Sequence, residues 1–134
     1  MDQGQLTSTG VVLLSVIGVA WGGAFLLRVV NGKTDANDLQ RAYYRAGHAH
    51  AGVLVTLGLV ITLLAAEADL TGPWATLADG VLWAAVLMPA GFFLSVIGRD
   101  PEAPNRLRHL IVVGGISLTV GLASAGIGLI AAGT

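Results

Sequence analysis

Three imidazoles are the side chains of this chain whose type and spacing suggest chemistry. His48 and His50 sit two positions apart in "YYRAGHAHAG", residues 43–52, and His109 lies in "NRLRHL". Neutral imidazole ligates haem iron and transition metals, and it gains or loses charge near neutral pH. Cysteine is absent, so thiolate ligands and disulfides are not available. On a helix, residues two apart point about 200° from each other, so one site cannot easily use both His48 and His50. His48 falls on a line with Tyr44, Gly52 and Thr56, a polar and small face suited to a helix contact. His50 falls with Gly47, Leu54, Leu57 and Ile61, a bulkier and oilier face. The pattern therefore predicts His48 turned toward the interior. His50 is expected to face another helix, a partner subunit or lipid headgroups.

The elements that carry these residues belong to a membrane. Of 134 residues, 54% are hydrophobic and 11% charged, and the mean hydropathy is +0.77. Soluble domains carry roughly 25% charged residues, and a small core cannot hide this much apolar surface from water. Apolar runs extend over about 6–30, 42–66, 74–98 and 107–132. Each exceeds the roughly 20 residues that a helix needs to cross hydrocarbon, and none alternates with period two. The expectation is an all-α polytopic membrane protein, one domain over 1–134, folded as an up-down bundle of four transmembrane helices. Pro73 suits a first helical turn capped near Thr71 or Gly72. Pro89 is expected to kink the third span. The leader "MDQGQLTSTG" has no Lys or Arg, so the first run reads as a genuine span rather than a signal peptide.

Charge orients the bundle. All seven basic residues fall around the first and third loops: Arg28, Lys33, Arg41 and Arg45, then Arg99, Arg106 and Arg108. The termini and the second loop have no Lys or Arg, and Asp2, Glu67, Asp69 and Asp79 lie on that side. Short basic loops stay cytoplasmic, which predicts N-out and C-out topology in the plasma or inner membrane, with loops one and three inside. Trp74, and Tyr43 with Tyr44, suit interfacial aromatic belts. Small residues recur every four positions in the last span, as Ser117, Gly121 and Ala125 and as Gly115, Thr119 and Ala123; Gly18 and Gly22 form a G-x-x-x-G. Such stripes let helices approach closely, within the bundle or across a homo-oligomer interface. "WGGAF" is read as close helix packing.

With this topology all three histidines lie near the cytoplasmic face. Spans two and four are diagonal in an up-down bundle, on the order of 13 Å apart when adjacent axes stand about 8–10 Å apart. That separation suits His48 and His109 clasping one haem b, with Arg45, Arg106 and Arg108 at the level of its propionates and His50 as a spare or supporting ligand. Another metal would take His48 or His50 with His109 and a carboxylate from Asp38, Asp100 or Glu102. The bland alternative is equally concrete: His48 hydrogen-bonds across the bundle, and His109 anchors the interface beside arginines.

"GHAHAGVLVTLGLV" resembles the H-x-H helix of the catalytic subunit of haem–copper oxidases. There the two histidines face opposite sides and each holds a different haem. The likeness spans about 14 of the 134 residues, and the remaining ligand helices and copper histidines of that family have no counterpart here. It implies haem or metal ligation by His48 or His50, not oxygen reduction. "YYRAGHAHAG" together with "MPAGFFLS" is similar to small uncharacterised four-span bacterial membrane proteins, a likeness that implies no activity.

Other classes lack their residues. The first span has no acid for a proton-coupled multidrug pump, and Glu67 and Asp79 are read near span ends. No span carries the repeated arginines of a voltage sensor, and H-E-x-x-H, phosphate loops and a Ser-His-Asp set are missing. Three functions stay open. One is a redox-type protein binding haem b or another metal; the second, a non-catalytic subunit of a larger membrane complex; the third, an oligomeric pore or carrier gated by His48. The bilayer is the expected partner, with further copies of the chain or a larger complex, and nucleic acid is not.

Overall fold

The structure, a computed structural model, describes residues 3–134. Helix is the only regular structure among them, and four stretches are long and apolar enough to cross a membrane: Gln3–Val30, Asp38–Glu67, Gly72–Ser95 and Arg106–Ala132. The first two are the helices α1 (Gln3–Val30) and α2 (Asp38–Glu67). The third divides into α3 (Gly72–Ala78) and α4 (Gly80–Ser95). The fourth is a single 3-10 turn, Arg106–Arg108, leading into α5 (His109–Ala132). Pro73 sits in the first turn of α3 with Thr71 as its cap, where its missing N–H costs nothing. Pro89 is buried within α4, which runs through it uninterrupted. The break in this span falls at Asp79.

α2 begins four residues before its apolar run because Asn37 caps it. The Asn37 side chain accepts from the Gln40 N–H at 2.9 Å, and Gln40 Oε1 accepts from the Asn37 N–H at 3.1 Å. Two otherwise orphaned N–H groups are satisfied by this exchange. The same two residues reach the loop after α4. Gln40 Nε2 donates to the Val96 and Gly98 carbonyls, each at 3.1 Å, while Asn37 Nδ2 donates to Asp100 Oδ1 at 2.9 Å and to the Pro101 carbonyl at 2.8 Å. Loops one and three are thus clasped together, which gathers Lys33, Arg41 and Arg99 at one end of the molecule.

Glycines set the packing of α2 on α4 and of α4 on α5. A Cβ on Gly47 would stand 2.9 Å from the Phe93 ring, and one on Gly58 2.5 Å from Leu82 Cδ2. On the far side of α4, a Cβ on Gly80 would stand 2.6 Å from the Ser117 carbonyl, and one on Gly121 2.7 Å from the Val81 nitrogen. Ser117 Oγ donates to the Gly80 carbonyl at 2.8 Å, and Ser124 Oγ to the Trp74 carbonyl at 3.0 Å. The stripe Ser117, Gly121, Ala125 is therefore the α4 contact. The companion stripe Gly115, Thr119, Ala123 faces away, and a Cβ on Gly115 would meet nothing within 4 Å.

Between these helices lie two small cores, Leu54, Val55, Ala84 and Ala85, and Ile61, Ala78, Val81 and Ala125, with Leu118 packed against both. α1 stands at the margin. None of its most apolar stretch is buried, against 22–33% for the other spans, and its backbone closely approaches α2 alone. The bundle is open between α1 and α5.

Candidate functional site around the histidines of α2

α2 sends its two histidines to different neighbours. His48 faces α1, where a Cβ on Gly22 would lie 3.4 Å from Nδ1 and one on Gly23 3.4 Å from Nε2. The glycine pair of "WGGAF" is the seat for this ring. One residue type explains the other: with no Cβ at 22 and 23, the α1 backbone meets the imidazole without displacing it. Beyond His48, α1 diverges from α4 and leaves an apolar cleft of about 280 Å³ walled by Gly18, Val19, Ala51, Val55, Ala85 and Val86. The half-buried His48 closes one end of it.

His50 faces α4. Its ring lies 5.0 Å from that of Phe92, and its Nδ1 is 2.7 Å from the Ala46 carbonyl. A carbonyl only accepts, so Nδ1 must carry the proton. In the neutral ring Nε2 is then a bare lone pair. This is the tautomer that metal-ligating histidines adopt when a backbone carbonyl holds the other nitrogen.

His109 opens α5 and is exposed. Leu110 and Ile111, its successors, pack on Gly91, the residue before Phe92. His50 and the start of α5 thus meet the same turn of α4 from two sides. The sequence paired His48 with His109; the structure turns His48 toward α1 and brings His50, rather than His48, to the turn on which α5 begins. Among the described residues, no group of three or more His, Cys, Asp or Glu side chains could together hold a metal ion.

The arginines divide likewise. Arg45 Nε donates to the Arg41 carbonyl at 3.3 Å, and both arginines border a cavity with Leu26, Val29 and Val30 of α1. Arg106 and Arg108 are exposed on the turn that precedes His109. Tyr44, read as an interfacial residue, lies between Phe25 of α1 at 5.3 Å and Phe93 of α4 at 5.6 Å. Tyr43 meets Phe92 at 5.7 Å. These rings link α1, α2 and α4 at the basic end. Of the proposed carboxylates, Asp100 is engaged by Asn37, and Asp38 borders the Arg41–Arg45 cavity.

One group escaped the sequence reading. Asp79, placed there near a span end, lies at the α3–α4 break and lines a cleft shared with α1 and α2. Thr9 Oγ1 in that cleft is buried without a hydrogen-bond partner. The acid inside a run of Leu, Val and Ala was the available signal. Comparisons with protein families, with curated proteins and with solved structures find no match for this chain.

Proposed function

We propose that this chain is a small integral membrane protein that binds haem b, or a comparable transition-metal centre, through His50. His109 supplies the second imidazole from the start of α5. The observation that carries the reading is the Nδ1–H of His50 donating to the Ala46 carbonyl at 2.7 Å, which leaves Nε2 as a free ligand nitrogen beside the Phe92 ring. Arg106 and Arg108 neighbour His109 and suit propionates. His48, seated on Gly22 and Gly23, orients α1 and shapes the apolar cleft. Bound haem would supply one-electron transfer; the chain itself supplies axial nitrogens, an aromatic wall and cationic partners. The gathering of Lys and Arg on loops one and three supports a cytoplasmic position for this site, at the plasma or inner membrane.

Purified protein from haem-replete cells should show a Soret band. His50→Ala should abolish it, while His48→Ala should retain it and weaken only the docking of α1. Protein that stays colourless after haem and metal reconstitution overturns the reading.

A second reading rests on the outward stripe Gly115, Thr119, Ala123, on which Thr119 and Ala123 are exposed and an added Cβ at Gly115 would meet nothing within 4 Å. It would make the protein a non-catalytic subunit whose α5 lies against a helix of a larger complex. Stoichiometric co-purification lost in Gly115→Leu, with the monomer still folded, is its signature.

A further inference from the structure

We propose that the cleft around Asp79 binds a monovalent amphipathic cation, an ammonium or phosphonium group on an aryl or alkyl body. All seven Lys and Arg residues lie at the opposite end, so no Lys or Arg of the chain stands beside its carboxylate. A carboxylate within a span is costly unless something compensates it. On one side of Asp79 is a cavity of about 180 Å³, to which Ser8 and Thr9 of α1, Thr62 of α2 and Thr76 of α3 bring hydroxyls. Ser8, Thr62 and Thr76 each donate to a carbonyl of their own helix, Gly4, Gly58 and Gly72 in turn. Their protons are thereby committed, and what these oxygens can still offer a ligand is acceptance. Thr9 Oγ1, buried and unpaired, is the exception that awaits a partner. On the other side Asp79 borders a second cavity of about 280 Å³ walled by Val12, Leu82, Trp83 and Val86.

The carboxylate stands where two adjoining cavities meet; they share Ser8, Val12 and Leu82, and the first adds threonine hydroxyls where the second adds Trp83 and Val86. A cationic head beside Asp79 gains a countercharge and hydroxyl oxygens, and its apolar body gains Val12, Leu82 and the face of an indole. A small hydrated ion would use the first chamber and leave the second without purpose. This site is at the far end of the span from the histidines and does not depend on their role.

Benzyltrimethylammonium is the probe, measured by equilibrium dialysis against the full-length protein in nonionic detergent, with empty micelles as the blank. Saturable binding should weaken by about tenfold or more in Asp79→Asn and stay within about threefold in Asp79→Glu, which keeps the charge. Trp83→Ala should weaken it less, and His50→Ala should leave it unchanged. Neopentylbenzene, the uncharged isostere, should not compete. Binding that survives Asp79→Asn in folded protein, or competition by the uncharged isostere, or displacement by millimolar sodium but not by choline, overturns the proposal.

Discussion

Individual glycines divide into those a helix needs and those it merely contains. Gly121 faces backbone: its added Cβ would stand 2.7 Å from the Val81 nitrogen and 3.0 Å from the Gly80 carbonyl carbon. Backbone cannot rotate out of the way, so Gly121→Ala must push α4 from α5 and strain the Ser117–Gly80 bond. Overpacking of this kind costs about 1–3 kcal/mol, and unfolding in mixed micelles should register it. Gly115→Ala, about one and two-thirds turns away on the outward stripe, meets open space and should be neutral or slightly stabilising, since Ala is the better helix former. The two stripes have the same period and nearly the same residues. Nothing in the sequence separates them, because which face of α5 meets α4 is decided by partners on another helix. A different residue-scale strain lies at Asp69, which ends α2 at φ 48°, with the Leu70 N–H donating to the Ala65 carbonyl at 2.9 Å. A left-handed conformation disfavours side chains that make no local bond. Asp69→Gly should therefore raise stability by roughly 0.5 kcal/mol.

At the scale of elements, the capped start of α2 does two things that one substitution can separate. Asn37→Ala removes both the cap on the Gln40 N–H and the two bonds from Nδ2 to loop three. Losing a cap costs about 0.5–2 kcal/mol, and the clasp adds to it, so the expected loss is at the upper end of that range. Asn37→Asp keeps an accepting oxygen for the cap but has no N–H for the Pro101 carbonyl, and it sets a second carboxylate against Asp100. Its helix content should match the wild type by circular dichroism while proteolysis after Arg99 accelerates. Wild-type behaviour of Asn37→Asp would show that the clasp contributes nothing. The spans themselves were legible, because apolar length survives any detail of packing. The start of α2 was not read from Asp38, since polar residues broke the apolar run; N-x-x-Q, the capping pattern, was the overlooked sign. The opposite facing of His48 and His50 was legible from helical period. That the partner of His48 would be "WGG" on α1 was not, for period assigns a residue to a face and never names the neighbouring helix.

Across the whole molecule, lipid explains why an open bundle is stable. Trp21 is 75% exposed and Leu14 68%, which in water would drive α1 to close over α5. In a bilayer the tails are as apolar as these side chains, so helix association rests on close packing and hydrogen bonds. α1 accordingly holds on where glycine permits, at Gly22 and Gly23 against His48 and through Phe25 against Tyr44. The opposite end of the bundle leaves room for the cleft at Asp79. Asn37 and Gln40 tie loop one to loop three, so the basic residues of both share a face. It is this face that the charge pattern predicts to be cytoplasmic. The absence of cysteine makes the test direct, because single cysteines can be introduced without removing any. In intact cells, Lys33→Cys and Arg106→Cys should resist a membrane-impermeant maleimide until the membrane is permeabilised, whereas Glu67→Cys should label at once. Labelling of Lys33→Cys and Arg106→Cys from different sides would break the four-span topology, and with it the meeting of His50 and α5 on one turn of α4.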